Sequence, residues 1–198
     1  MTDKPGEMYR LFYALRLTAD AQAAVGALLE RLRRVPARVS WVQPANLHFT
    51  LKFLGDVPER LLPALQEVGE ETGRRSLPVR LDLAGLGAFP NNRSPRVIWV
   101  GCGTGADGLM ELAANLATVL GERALVLGDN KPFAAHCTIG RVRDSRGLPE
   151  LVSALADEAP FAGGCVQSDE FHLVRSELAR TGPTYTNLAA FPLLRETA

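Results

Sequence analysis

The sequence predicts an α+β fold built from two related halves, and three observations carry that prediction. Strand-like alternation and helix-like periodicity succeed one another along the whole chain. The last two strand-like stretches follow each other with no helix between them, which favours antiparallel pairing over a doubly wound sheet. The pattern His, apolar, Thr, apolar occurs twice, as His48-Phe49-Thr50-Leu51 and as His136-Cys137-Thr138-Ile139, each copy followed by a helical stretch.

The elements follow in order. Tyr9 to Leu17, rich in aromatic and aliphatic residues, reads as a strand. Ala19 to Arg34 reads as a helix, with Val25, Leu28, Leu29 and Leu32 at helical spacing and Asp20 near its start. Pro36 ends that helix, and short strands are expected over Val39 to Val42 and Leu47 to Leu54, with Gly55-Asp56 closing the second. A helix should then run from near Pro58 to Thr72, capped by Gly73. Val79 to Leu86 and Arg96 to Val100 suggest an antiparallel pair across the loop Phe89 to Pro95. Asp107 to Leu120 carries a leucine stripe at helical spacing, His136 to Val142 is a strand, and Pro149 to Glu158 is a helix. Val166 to Ser176 and Tyr185 to Leu194 complete the chain as two strands.

Of the 198 residues 46% are apolar, enough for a sizeable core, and no low-complexity linker divides them, so residues 1–198 are expected to form one domain. Lys+Arg and Asp+Glu both number 22, which excludes a global positive field able to hold long nucleic acid. Cys102, Cys137 and Cys165 have no metal-ligand spacing and read as small apolar residues in a reducing compartment. The first seventeen residues show no leader-like apolar region and no run elsewhere is long enough to cross a bilayer, so a cytoplasmic location without membrane partner is expected. Balanced charge and the lack of an apolar interface stripe make a monomer the expectation.

On a strand, residues two apart share a face, so His48 projects with Thr50 and His136 with Thr138, while Phe49, Leu51, Cys137 and Ile139 face the core. One strand histidine beside a threonine is ordinarily just a polar pair. Two matching copies, using two of only three histidines in the chain, point instead to function. If the halves pack as mirrored lobes, two groups that titrate near neutrality and two hydroxyls surround one phosphate-sized space. Opening a cyclic phosphodiester by water needs a base at the water and an acid at the leaving oxygen, roughly in line through phosphorus, and two histidines supply both without a metal or other cofactor.

These residues resemble the two-histidine phosphoesterase superfamily, and within it the bacterial and archaeal RNA 2′,3′-cyclic phosphodiesterases, also called the 2′-5′ RNA ligase family. The resemblance spans nearly the whole chain: Arg10-Leu11-Phe12, the segment from Asn46 to Gly55, Gly85 to Pro90, Pro95 to Trp99, Pro132-Phe133, Gly140 to Arg143, Arg175-Ser176, and Gly182-Pro183 with Tyr185. It implies a bilobal fold with two pseudo-symmetric lobes of antiparallel sheet, helices outside and an active-site cleft between them. It also implies hydrolysis of an RNA-terminal 2′,3′-cyclic phosphate to a 2′-phosphate, with weak reversible 2′-5′ ligation in some members. The residues leave the order of roles open; His48 as acid and His136 as base is the working order. Two alternatives stand beside this reading: hydrolysis of a small cyclic phosphate, a nucleotide or ADP-ribose derivative, and a non-catalytic module that binds RNA ends.

Further candidates for substrate binding are Thr50, Thr138, Arg141, Lys52 and Phe12. Arg141 matches the family's phosphate-binding arginine, yet on a regular strand it should face away from His136 unless a bulge intervenes. Lys52 should share the face of His48 and Thr50, where it would contact the RNA backbone or depress the His48 pKa. Phe12, Tyr13, Phe53 and Phe89 are candidates to stack a terminal base, with Phe53 expected in the core by parity. His172 reads as structural, Arg175 as either a phosphate contact or a surface residue, and the loop Pro90 to Pro95 as a device setting substrate length.

Overall fold

A computed structural model describes residues 7–125, 127–128, 132–179 and 182–194. Residues 1–6, on which part of the leader reading rests, lie outside them. The elements are β1 (Met8–Arg16), α1 (Ala19–Leu32), β2 (Val39–Trp41), β3 (His48–Pro58), α2 (Leu62–Arg74), β4 (Val79–Phe89), β5 (Val97–Cys102), α3 (Ala106–Glu122), β6 (His136–Val142), α4 (Leu148–Asp157), β7 (Ala162–Ser168), β8 (Glu170–Ala179) and β9 (Gly182–Pro192).

The strands form one antiparallel sheet in the order β7-β4-β5-β6-β3-β1-β8-β9, with β2 pairing β6. Four strands stand on either side of the junction between β3 and β6, the two strands that carry the repeated pattern. That junction rests on the pair Phe49 and Cys137, and beyond it β6 passes to β2. The sheet is therefore two lobes hinged on one shared seam, a curled antiparallel α+β architecture.

Residues of one parity face the helices. Leu11, Tyr13 and Leu15 of β1, Phe49 of β3, Ile98 and Val100 of β5 and Cys137 of β6 are fully buried there. Tyr13 donates its hydroxyl to the carbonyl of Leu65 in α2, which satisfies a polar atom that would otherwise be costly in the core. Gly69 and Gly73, one turn apart on α2, let that helix approach β9: a Cβ at either would collide with Phe191 or with the Pro192 carbonyl. Helix α1 begins at Thr18, whose hydroxyl accepts from the Ala21 amide, with Asp20 in its first turn.

Two expectations need correcting. Gly55 does not end β3; its positive φ is absorbed as an irregularity against β1, and the strand continues to Pro58. The stretch read as one strand from Val166 to Ser176 is two strands meeting at Asp169. β7 lies at the far edge beside β4, whereas β8 lies beside β1 in the other lobe. The break falls in the polar run Gln167-Ser168-Asp169-Glu170, and the two strands part there, β7 packing on α1 and β8 on α2.

Candidate active site

Strands β3 and β6 meet as antiparallel neighbours at Phe49 and Cys137. Extending that register one residue each way sets His48 opposite Thr138 and Thr50 opposite His136, all four on the face away from the helices. Diagonal neighbours on adjacent antiparallel strands stand about 7–8 Å apart, room for one phosphate between two imidazoles.

Both rings are held alike. His48 Nδ1 lies 2.7 Å from the carbonyl of Asn46, and His136 Nδ1 lies 2.7 Å from the carbonyl of Ala134. A carbonyl only accepts, so each Nδ1 carries its proton and each Nε2 is left as the atom that gains or loses one. His48 Nε2 is 3.1 Å from Thr50 Oγ1, which donates to it when the ring is neutral. The flanking rings differ. Phe12 stacks on His48 at 4.9 Å between centroids, with Tyr185 edge-on at 5.3 Å, while Phe89 meets His136 edge-on at 5.0 Å. Burial holds the His48 pKa below its ordinary value, with the Asn46 carbonyl opposing and the charges of Arg16 and His136 adding to the depression.

Register decides the other candidates. Between Ile98 and Trp99 the pairing of β5 with β6 slips by one residue, so that Ile98 faces Gly140 and Trp99 faces Thr138, with Ile139 extra. This is the bulge that Arg141 required: Ile139 and Gly140 are both buried and Arg141 is exposed on the side of His136 and Thr138. Its charge reaches Tyr185 of the opposite lobe, where it partly offsets the rise that burial imposes on the phenol.

The same effect works against Lys52. A slip between Tyr13 and Ala14 leaves Ala14 opposite Thr50 and puts Lys52 opposite Tyr13, a core residue, so Lys52 does not share the face of His48. The basic side chain on β1 that adds to the depression of His48 is Arg16, its direct cross-strand partner. Phe53 shifts the other way. Paired with Phe12, it is half-buried on the cleft face under the Arg10 guanidinium, 4.6 Å above its ring, and is not core.

Phe12 is 5% exposed with one face covered by His48, so it seats that imidazole rather than offering an open platform. Tyr13 is core. Phe89 is 37% exposed at the cleft rim, against Trp99, whose indole lies where a Cβ on Gly87 would be. Arg175 turns to the other face, over the Tyr9 ring and beside Glu7 and Glu177. His172 is buried on the cleft side of β8, opposite Ala14, and meets Glu170 at 3.2 Å. Arg16, Tyr185 and Asn187 were not singled out from the sequence as site residues. Arg16 shares the parity of Phe12, but its neighbour on the next strand is not readable from one chain.

A family model described as "LigT like Phosphoesterase" matches residues 15–99. An RNA 2′,3′-cyclic phosphodiesterase of Methanothermobacter thermautotrophicus is 33% identical over 93% of this chain and 98% of its own length. The chain belongs to the LigT-like phosphoesterases. A Thermus thermophilus relative, also named RNA 2′,3′-cyclic phosphodiesterase, is 38% identical over 94% of this chain and 91% of its own. Among solved structures, a Thermus thermophilus protein superposes with a TM-score of 0.76 at 35% identity, covering 93% of this chain and 97% of that one. Escherichia coli LigT complexed with 3′-AMP superposes at 0.73 and 29%, covering 96% and 100%. Among the described residues no helix of this LigT-like phosphoesterase is long and apolar enough to cross a membrane.

Proposed function

We propose that the chain opens the terminal 2′,3′-cyclic phosphate of RNA with water, leaving a 2′-phosphate, with His48 and His136 as its acid and base. One observation carries the reading: two imidazoles from distant parts of the chain share one sheet face at adjacent strands, each with Nδ1 engaged and Nε2 as its exchangeable site. The names of the relatives support the substrate class.

The attacking water gives its proton to one Nε2, while the other Nε2 delivers a proton to the departing O3′. Thr50 and Thr138 bring hydroxyls toward the non-bridging oxygens, and Arg141 brings a guanidinium able to pair two of them. For His48 to serve as acid, the bound anion must offset the burial and the Arg16 charge that favour its neutral form. NMR titration of His48 with and without a nucleoside 2′-phosphate tests this: a rise on binding supports His48 as acid, and no rise transfers that role to His136.

The deciding assay uses an oligonucleotide ended in a 2′,3′-cyclic phosphate, with EDTA present throughout. Undiminished conversion to a 2′-phosphate end supports the metal-free reaction. Loss with chelator, or a 3′-phosphate product, overturns it. Binding without conversion would instead identify an RNA-end binding module, and equal rates on mononucleotide and oligonucleotide would favour a small cyclic phosphate as substrate.

A further inference from the structure

The Arg16 guanidinium lies on the cleft face as the direct cross-strand neighbour of His48, at the end of β1. Its terminal nitrogens donate to Asn187 Oδ1 at 3.1 Å and to the Ala45 carbonyl at 3.0 Å, both neutral acceptors. Arg31, Arg75 and Arg175 each meet carboxylates, whereas Arg16 is anchored by dipoles that fix its direction and leave its charge uncompensated among the described residues. That charge bears on His48 and also on His172, so it lies within the same electrostatic enclosure as the reacting groups. A shallow depression joins Phe12, Ala14, Arg16, His48, Val174 and Tyr185.

The lining of that depression is almost wholly apolar, and the Arg16 guanidinium stands at its margin, held by Asn187 and Ala45. Phe12, Val174 and Tyr185, with Phe53, form an apolar cluster on one side of His48. Arg16, Asn187 and the Ala45 carbonyl form its other side. A terminal nucleotide held by its cyclic phosphate has two further parts to place, an apolar base and the anionic group on its 5′ oxygen. The Arg16 guanidinium, beside His48 on the cleft face, matches the second of these.

We propose that Arg16 receives the phosphate on the 5′ side of the terminal nucleotide and so selects oligonucleotide ends over 5′-hydroxyl mononucleotides. The inference rests on the reading of the cleft as a cyclic-phosphate site and names the group that decides substrate length there. A guanidinium is suited to this role because its planar fork offers two donors to one phosphate while the anchoring bonds persist.

The test is a cycle of one substitution against one substrate change. The substrates are an adenylyl dinucleotide with a 2′,3′-cyclic phosphate end, its analogue with a neutral methylphosphonate linkage, and adenosine 2′,3′-cyclic phosphate with either a 5′-hydroxyl or a 5′-phosphate. Arg16→Gln lowers the ratio of kcat/KM for dinucleotide over 5′-hydroxyl mononucleotide by about tenfold to a hundredfold, mainly through KM, the range of a charge-assisted hydrogen bond. The shift that the substitution causes in His48 is common to all substrates and cancels in the ratio. Neutralising the linkage costs the unmodified protein a similar factor and costs Arg16→Gln nothing further, and Arg16→Lys keeps part of the preference. The 5′-phosphate mononucleotide gains over the 5′-hydroxyl one only when Arg16 is present.

Equal loss on every substrate overturns the proposal by placing Arg16 at the reacting phosphate, and an unchanged ratio overturns it outright. The same cycle on Kd for the dinucleotide 2′-phosphate separates the two levels of inference. Coupling in binding without any turnover retains Arg16 and sinks the hydrolytic reading; turnover without coupling does the reverse.

Discussion

His48 and His136 have the same backbone setting but unequal surroundings, and substitutions should expose both facts. Replacing either by alanine is expected to lower kcat on a cyclic-phosphate oligonucleotide by about 10²–10⁴ fold, the worth of one proton transfer. Thermal unfolding should distinguish them. His48→Ala removes a ring stacked on Phe12 and edge-on to Tyr185, whereas His136→Ala removes one edge-on to the exposed Phe89, so the first should lower Tm more than the second. Arg141→Ala should lower turnover sharply with little change in Tm, because its side chain is exposed; near-normal kinetics would remove it from the site. His172 supplies a pH prediction. Burial holds its pKa below the ordinary 6.5, against the pull of Glu170, and its Nδ1 is buried without a hydrogen-bond partner among the described residues. The unfolded chain therefore binds its proton more readily, so stability falls as pH drops below about 6.5 and levels off only below the folded pKa. His172→Leu should shrink the difference in Tm between pH 8 and pH 5, and an unchanged difference would mean that His172 does not contribute to it.

At the scale of elements, the legibility of the sequence ended where strand regularity ended. The helices α1 and α3 and both His-Thr pairs could be read because periods of 3.6 and 2 hold through them. Lys52, Phe53 and Arg141 lie beyond one-residue slips, at Leu51 in β3 and at Ile139 in β6, and each slip reverses the face of every residue that follows. A bulge depends on the neighbouring strand, which a single sequence does not disclose. The same holds for the partition of β7 and β8 between the lobes. Gly73 gives a prediction of unusual sign. Glycine to alanine inside a helix ordinarily stabilises by about 1 kcal/mol. At Gly73 the new Cβ would meet the Pro192 carbonyl of β9, a backbone atom that cannot turn aside. Urea denaturation of Gly73→Ala should therefore show a net loss of about 1–3 kcal/mol, the cost of overpacking.

For the whole molecule the question is whether the lobes part in the native state. Phe49 and Cys137, both fully buried, are the pair on which β3 and β6 meet. Burial pushes the Cys137 thiol up to about 12, so it is unreactive while the seam is closed, whereas Cys165 is exposed. Alkylation followed by mass spectrometry should show rapid modification at Cys165, with Cys137 modified only as fast as the chain unfolds globally. Faster labelling of Cys137 would reveal a native state in which the seam opens.

The placement of Arg16 beside only one of the two imidazoles has a consequence for direction. A scaffold with twin halves offers a symmetrical anion two equivalent ways to lie across it, and so cannot by itself dictate which ester oxygen departs. In the proposed reaction Arg141 beside His136 is placed at the reacting phosphate, whereas Arg16 lies off the axis and removes that degeneracy, because an RNA end is polar and is oriented by the strand behind it. The regiochemistry of the product would then be written outside the reacting atoms, by the side chain that tells the molecule which way round its substrate enters.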